Sequence, residues 1–156
     1  MKIALHEAIK ARGKDEVPVG AVIADTDGNI IAKSHNMIIT LLDPTAHAEI
    51  NVLKEAAKKT GNYRLTNAVL YSTLEPCLMC MGALIHARIK KVVFGTFDKK
   101  WGAAGSLYSF HKNINLNHRP EIISGVLEDE CRELIQKFFQ EKRKIKKGEK
   151  KCPVLP

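Results

Sequence analysis

The chain has 156 residues, and 45% of them are hydrophobic, which suits one domain that folds around a core without disulfide bridges. No apolar run is as long as a membrane span, and the first residues lack the apolar stretch of a secretory signal, so we expect a cytoplasmic protein without a membrane-bound part. The formal charge of +8 excludes an acidic protein and makes polyanions candidate partners.

The first part of the sequence predicts a helix and then a hairpin. Residues 2–12 carry apolar side chains with charged residues between them, which indicates a short amphipathic helix. Two strand-like segments, 17–24 and 30–32, flank an Asp-Gly step at 27–28 that is typical of a tight turn.

The rest of the chain alternates helices and strands. Asp43 is a candidate N-cap, and Pro44 a candidate first residue, of a helix that ends at Gly61. The elements predicted after it are a strand at 67–73, a helix at about 76–88, strands at 91–95 and 121–127, and a helix at about 129–147. Connections of this length suit parallel crossovers, so we predict an α/β fold in which helices cover both faces of the sheet.

Four residues in two short motifs have the chemistry of a metal-dependent hydrolase. His47 and Glu49 lie in a His-Ala-Glu tripeptide, and Cys77 and Cys80 lie in a Pro-Cys-x-x-Cys motif about thirty positions later. One imidazole and two thiolates bind zinc and leave its fourth tetrahedral position open, which is the arrangement of a catalytic site. We therefore predict one Zn²⁺ per chain as the cofactor, with the histidine and the two cysteines as its ligands.

Glu49 is the candidate proton carrier of this site. Two thiolates cancel the charge of Zn²⁺, so the ion is a weaker Lewis acid than one held by three imidazoles, and a helper base is needed. Separately, the motifs are weak. A His-x-Glu is usually structural, and a Cys-x-x-Cys pair is equally compatible with a redox pair, a structural zinc site or neither.

Positive charge is concentrated near the C-terminus. Residues 137–151 contain eight lysines or arginines and two glutamates, a net charge of +6. A localised basic surface is typical of proteins that bind nucleic acid, but such a segment also occurs as a solubilising tail. Both interpretations stay open on this observation alone.

Together, the two metal motifs match the signature of the zinc nucleobase deaminases, and residues 16 to about 143 resemble the bacterial tRNA-specific adenosine deaminases. The segments that carry the resemblance are 16–22 (EVPVGAV), 43–49 (DPTAHAE), 73–80 (TLEPCLMC), 82–89 (GALIHARI), 102–106 (GAAGS) and 117–119 (NHR).

The resemblance implies a cytidine-deaminase-like fold, a three-layer α/β/α sandwich with a five-stranded mixed sheet. It also implies one zinc-dependent deaminase domain over residues 1–156, with a basic C-terminal helix and tail at about 137–156. Members of the family are homodimers, and their C-terminal helix contacts the tRNA anticodon arm. The basic segment of this chain fits that role.

The same resemblance implies the reaction and the residues that carry it. His47, Cys77 and Cys80 are expected to bind zinc and Glu49 to transfer protons, while the wobble adenosine of a tRNA anticodon, in an arginine tRNA, is hydrolysed to inosine. Asn36 falls where the family has an asparagine that contacts the base.

Two segments depart from the family. Residues 37–42 (MIITLL) are apolar where relatives are polar, basic or glycine-containing, so this segment either changes the RNA contact surface or packs in a dimer interface. The segment after Gly148, which includes Cys152, has no family counterpart. Four aromatic residues either stack on RNA bases or cover the sheet edge, and we favour the core or an interface for most of them: Phe97, Trp101, Tyr108 and Phe110.

Two other functions have to be weighed. A deaminase of a free base or nucleotide, of the guanine, cytosine or cytidine type, has the same metal-binding residues but needs no basic helix. A non-catalytic, zinc-containing RNA-binding subunit is disfavoured because Glu49 is present.

Overall fold

A computed structural model describes residues 1–149, and the side chains as far as residue 145. Lys150, Lys151 and Cys152, which belong to the predicted basic tail, lie outside the described residues. The elements in chain order are α1 (Lys2–Gly13), β1 (Gly20–Asp25), β2 (Ile30–His35), α2 (Ile38–Leu41), α3 (Ala48–Thr60), β3 (Ala68–Leu74), α4 (Leu78–His86), β4 (Lys91–Thr96), a 3₁₀ turn (Phe110–Lys112), β5 (Glu121–Ile123) and α5 (Glu128–Glu149).

The strands form one five-stranded sheet in the order β2-β1-β3-β4-β5. β1 runs antiparallel to both of its neighbours, whereas β3, β4 and β5 are parallel to one another, so the sheet is mixed. Every residue from Gly20 to Ala24 is buried, which means that both faces of β1 are covered. Helices α1 and α5 contact each other, α3 and α4 contact each other, and both α1 and α3 pack on β1. The predicted α/β/α sandwich is confirmed.

Small residues bring α1 close to the sheet. Ala4, Ala8 and Ala11 are completely buried, and a Cβ atom at Gly20 would collide with the backbone of α1. Only glycine permits this approach. The close contact fixes the loop between α1 and β1, which carries Glu16.

The structure corrects the start of two predicted helices. Helix α3 begins at Ala48 with His47 at the N-cap position, and not at Pro44. Asp43 caps a turn instead, because its Oδ1 accepts hydrogen bonds from the backbone N–H and the hydroxyl of Thr45, at 2.8 and 2.7 Å. Helix α4 begins at Leu78 rather than at Pro76, with Cys77 at the N-cap position. Both motifs therefore place a metal-ligand candidate directly before a helix.

Two other boundaries differ from the prediction. β5 ends at Ile123 and not at residue 127, because Gly125 (φ 82°) and Leu127 (φ 55°) leave the extended conformation. The predicted loop at 37–42 contains the short helix α2, which ends at Leu42 in the left-handed conformation. The first helix, the hairpin, β3, β4 and the C-terminal helix are confirmed. Among the described residues, no helix combines the length and the apolar character that crossing a membrane requires.

Candidate metal centre and active site

The metal-ligand candidates meet where two helices begin. His47 lies at the N-cap position of α3, Cys77 lies at that of α4, and Cys80 follows in the first turn of α4. The N-terminus of a helix carries a partial positive charge, which stabilises a thiolate or a carboxylate placed there. The arrangement favours the thiolate form of Cys77 and Cys80.

The three ligand atoms have the spacing of a tetrahedral zinc site. His47 Nδ1 lies 3.7 Å from Cys77 Sγ and 3.6 Å from Cys80 Sγ, and the two sulfur atoms are 3.6 Å apart. Bond lengths of about 2.3 Å to sulfur and about 2.0 Å to nitrogen give a tetrahedron with edges of about 3.5 to 3.8 Å. The residues are thus in position to bind a metal ion, and the predicted zinc site is geometrically sound.

The pKa values of the two thiols suit a site that holds a cation between the sulfur atoms. Hydrogen bonds from Cys80 and His47 lower the pKa of Cys77 to about 4. The neighbouring sulfur of Cys77 and burial raise the pKa of Cys80. Two adjacent thiolates repel each other, so the pair holds one negative charge on its own, and a dication supplies the charge that lets both ionise.

Glu49 lies in the first turn of α3, with 3% of its surface exposed. Burial raises the pKa of its carboxyl group. The hydroxyl of Ser72, on β3, donates a hydrogen bond to Glu49 Oε1 at 3.4 Å, and Cys80 and His47 are its other polar neighbours. A buried carboxyl group beside the ligand set suits the transfer of a proton to and from a reacting group.

Asn36 follows β2 and is held from two sides. Its Nδ2 donates a hydrogen bond to Oε2 of the completely buried Glu16, at 3.3 Å. Asn51, on α3, donates from its Nδ2 to the carbonyl oxygens of His35 and Ala46, both at 3.0 Å. Since these carbonyls directly precede Asn36 and His47, the amide of Asn51 fixes the candidate substrate contact relative to the metal ligand.

A buried carboxylate also organises the loop on the other side of the metal ligands, which we call the 97–107 loop. Glu75 is 2% exposed and accepts hydrogen bonds from the backbone N–H groups of Asp98, Ala104 and Ser106, at 2.9 to 3.0 Å. Gly102 lies so close to this carboxylate that a Cβ atom would not fit, and its backbone pairs with that of Cys77. The 97–107 loop is therefore fixed to the metal-binding motif.

Sequence analysis missed Glu16, Glu75 and Asn51. Both glutamates lie within segments that carry the resemblance, Glu16 in 16–22 and Glu75 in 73–80, and this was the only available signal. Asn51 had none, because an asparagine one turn into a helix is most often an ordinary surface residue.

The structure places the other candidates outside the metal centre. Trp101, Tyr108 and Phe97 are 67%, 46% and 41% exposed within the chain, which excludes the core for these three. The alternative of a position in an interface stays a prediction. Phe110 packs against the core. Cys131 is 1% exposed and packs against Gly95, as a small apolar residue would.

Similarity to known proteins extends over nearly the whole chain. Residues 1–96 match the family model of the cytidine and deoxycytidylate deaminase zinc-binding region. A tRNA-specific adenosine deaminase of Haemophilus influenzae is 51% identical over 150 residues, which are 96% of this chain and 87% of that protein. The enzyme of the same name from Bacillus subtilis is 49% identical over 97% of this chain and 93% of its own length.

A solved structure is similar to this chain as well. It comes from biochemical and structural studies of A-to-I editing by tRNA:A34 deaminases at the wobble position of transfer RNA, and it superimposes with a TM-score of 0.83 at 45% identity. The match covers 86% of this chain and 96% of that one.

Fold and site together define a zinc-dependent nucleobase deaminase of the cytidine and deoxycytidylate type. The identity to curated enzymes extends over nearly the whole chain. The chain belongs to the family of the tRNA-specific adenosine deaminases.

Proposed function

We propose that the protein is a hydrolase that converts adenosine to inosine at the wobble position of a tRNA anticodon, in an arginine tRNA, and that residues 1–156 form one zinc-dependent deaminase domain. The observation that carries the proposal is the site geometry. Three ligand atoms at the edge lengths of a tetrahedron lie beside a buried carboxyl group, in a chain of this family.

The chain's own residues account for the proton transfers of the reaction. When bound by His47, Cys77 and Cys80, zinc supplies a nucleophile by lowering the pKa of a water molecule from about 16 toward about 7. Glu49 takes a proton from that water and donates one to the substrate. The C6–N6 bond breaks, a C6–O bond forms, and adenosine plus water gives inosine plus ammonia. Asn36 is proposed to contact the base and hold C6 in position.

The proposed RNA contact includes the C-terminal helix. Ion pairs between Lys142 and Asp15 and between Arg12 and Glu141 fix α5 against the region around α1. Arg143 and Lys144 are exposed beyond these pairs and are free to meet phosphate groups. Contacts with phosphate groups add affinity but do not distinguish one RNA sequence from another. We propose that α5 makes such contacts with the anticodon arm.

The proposed enzyme is a homodimer in the cytoplasm, where its tRNA substrate is found. Three apolar side chains at the end of α2 support the dimer, since Ile39, Leu41 and Leu42 are 58%, 53% and 89% exposed within one chain. Apolar side chains exposed to this extent on one short segment are typical of a surface that another protein chain covers.

Purified protein with bound zinc tests the proposal on two sets of substrates. One set is an anticodon stem-loop of arginine tRNA with adenosine at the wobble position, and the other is free adenosine, guanine, cytosine and cytidine. We expect inosine at the wobble position and no turnover of the free compounds. Turnover of a free base without inosine in RNA would instead show that the enzyme deaminates small molecules.

A further inference from the structure

The 97–107 loop presents the chain's only tryptophan to solvent on a rigid backbone. The indole of Trp101 is 67% exposed. Oδ1 of Asp98 accepts hydrogen bonds from the backbone N–H groups of Lys100 and Trp101, at 2.9 and 3.3 Å, and the carbonyl of Asp98 accepts one from Gly102 at 2.9 Å. A large apolar side chain on a backbone held this firmly is preorganised for contact with another molecule.

The loop is attached to the metal site as well. Glu75 holds its backbone at three points, and Ala103 donates its N–H to the carbonyl of Pro76 at 2.9 Å. Trp101 directly precedes Gly102, whose backbone pairs with that of the ligand candidate Cys77. The indole consequently lies on a loop whose position is set by the residues that hold the metal.

The surroundings of the indole are basic. Lys99 and Lys100 are both exposed, and within the described part of the chain neither forms an ion pair. Beside them lies an open hollow of about 410 Å³, lined by Phe97, Lys99 and Leu107 among others. Exposed aromatic rings among unpaired cations are the usual means by which proteins hold unpaired bases and their phosphates.

We propose that Trp101 stacks on an unpaired nucleobase that neighbours the reacting adenosine in the RNA, with Lys99 and Lys100 close to the adjoining phosphates. The proposal rests on the RNA substrate proposed above and specifies a contact for it. A base stacked at this point holds the strand beside the metal site, so that the next nucleotide can enter the pocket.

Charge argues for RNA over a second copy of the chain at this surface. In a symmetric dimer with the loop at its centre, Lys99 and Lys100 of both copies would be buried together, and like charges repel. RNA brings the opposite charge. The apolar α2 surface, which carries no charged residue, is the better candidate for contact between copies.

Fluorescence tests the contact directly, because all tryptophan emission comes from Trp101. The zinc-loaded Glu49→Ala variant is titrated with the anticodon stem-loop, so that no turnover occurs. We expect quenching that saturates as RNA binds and that disappears when one particular nucleotide next to the target is made abasic. Emission that is insensitive to RNA, or that changes only with protein concentration, would overturn the proposal and assign the surface to contact between copies.

Kinetics with matched variants complete the test. Because the stacking of one base on an aromatic ring corresponds to about 5- to 150-fold in affinity, Trp101→Ala should raise KM for the stem-loop by about that factor and leave kcat nearly unchanged. Trp101→Phe should recover part of the loss. Tyr63→Ala is the control, since Tyr63 is 66% exposed but lies beyond the far end of α3.

The outcomes separate this proposal from the proposed function. Wild-type enzyme that makes no inosine in the stem-loop refutes the function, whereas the fluorescence titration still reports stacking. Wild-type enzyme that edits the RNA, combined with a Trp101→Ala variant that behaves like Tyr63→Ala, refutes the stacking alone. Zinc content and circular dichroism of each variant show whether it has folded.

Discussion

The proposed reaction site and the proposed RNA-facing surface differ in burial: the side chains of the first are buried, and those of the second are exposed to solvent. Cys80 and Glu49 are completely or almost completely buried, whereas Trp101 is 67% exposed and its neighbours Lys99 and Lys100 are exposed as well. Buried groups act through exact distances to their neighbours, and exposed groups act through contacts that water and salt weaken. We therefore expect substitutions in the first region to abolish activity and substitutions in the second to change it by degrees.

Removal of a metal ligand should have the largest effect. Cys80→Ala leaves one thiolate and one imidazole, which is too few ligands for a stable zinc site. We expect loss of zinc and of all measurable deamination, together with a lower melting temperature. Metal analysis and inosine assays measure these effects. Cys131→Ala is the matched control, because it removes an equally buried sulfur outside the site and should keep zinc and activity. A Cys80→Ala protein with one zinc ion per chain would contradict the assignment.

Removal of Glu49, the proposed proton carrier, should have the next largest effect. Glu49→Ala should retain zinc and fold but lose about 10² to 10⁴ in kcat, the usual scale for a positioned general acid or base. Glu49→Gln preserves the shape and should lose a similar amount, since an amide cannot shuttle the proton. Single-turnover inosine formation provides the measurement. Unchanged activity in either variant would remove Glu49 from the mechanism.

The sequence predicted the reaction site better than the RNA-facing surface for a physical reason. Metal chemistry restricts each ligand position to a few residue types, so His47, Cys77 and Cys80 could be recognised once their two motifs were taken together. The order of helices and strands also followed from periodicity. Surface contacts have no such restriction, and for this reason the sequence left Trp101 open between stacking on RNA and a position in the core or an interface. Its exposure within the chain excludes only the core.

Groups that support the site were the least predictable from sequence. The carboxylate of Glu75 acts on backbone N–H groups 23 to 31 residues away, and that of Glu16 acts on residues 20 to 24 positions away. Local patterns carry no information about partners at this distance. The helix starts were misplaced for a related reason, since Asp43 can cap either a helix or a turn, and tertiary contacts decide between them.

Substitution of Glu16, which holds Asn36 but is not a metal-ligand candidate, should reduce the activity by an intermediate amount. Glu16→Gln can still accept the hydrogen bond from the backbone of Thr40, at 2.7 Å in the wild type, but it presents an N–H₂ group to Asn36. The Asn36 amide must then turn over or lose its partner, an effect of about 1 to 3 kcal/mol. We expect a fall of about 5- to 150-fold in kcat/KM for the stem-loop.

A double-mutant cycle checks this explanation. If Glu16 acts through Asn36, Glu16→Gln should cause little further loss in an Asn36→Ala background. Additive losses in the double variant would show that the two residues act independently. Zinc content should be normal in all three proteins, since neither residue is a ligand candidate.

Neutralisation of exposed cations on α5 should give a smaller, salt-dependent effect. Arg143→Ala combined with Lys144→Ala removes two exposed charges that form no ion pair with the described residues. Removal of one cation that touches a phosphate lowers the slope of log K against log salt by about 1, so we expect weaker binding and a slope smaller by up to about 2. Lys58→Ala is the control, because Lys58 is equally exposed but lies in the last turn of α3, away from the site. Equal slopes for the two proteins would place the phosphate contacts elsewhere.

The smallest expected effect is on the stability of the fold. It concerns Glu7, a buried residue of α1 that contacts residues of β2. Burial raises the pKa of Glu7, but hydrogen bonds from Lys10 at 2.8 Å and His35 at 3.2 Å outweigh it and hold the pKa below the ordinary value of 4.5. Since the folded pKa is the lower one, the carboxylate stabilises the fold above the unfolded pKa, and this contribution disappears as the pH falls through the folded pKa.

Glu7→Gln should therefore lower the free energy of unfolding by about 1 kcal/mol near neutral pH, and the difference from the wild type should shrink as the pH falls below about 4.5. Urea unfolding at several pH values measures it. Glu133→Gln removes an exposed carboxylate paired with Lys137, and water screens that pair, so no comparable change is expected. A difference that grows toward acid pH would mean that Glu7 is held in its protonated form, and the ion-pair explanation of this buried cluster would then be wrong.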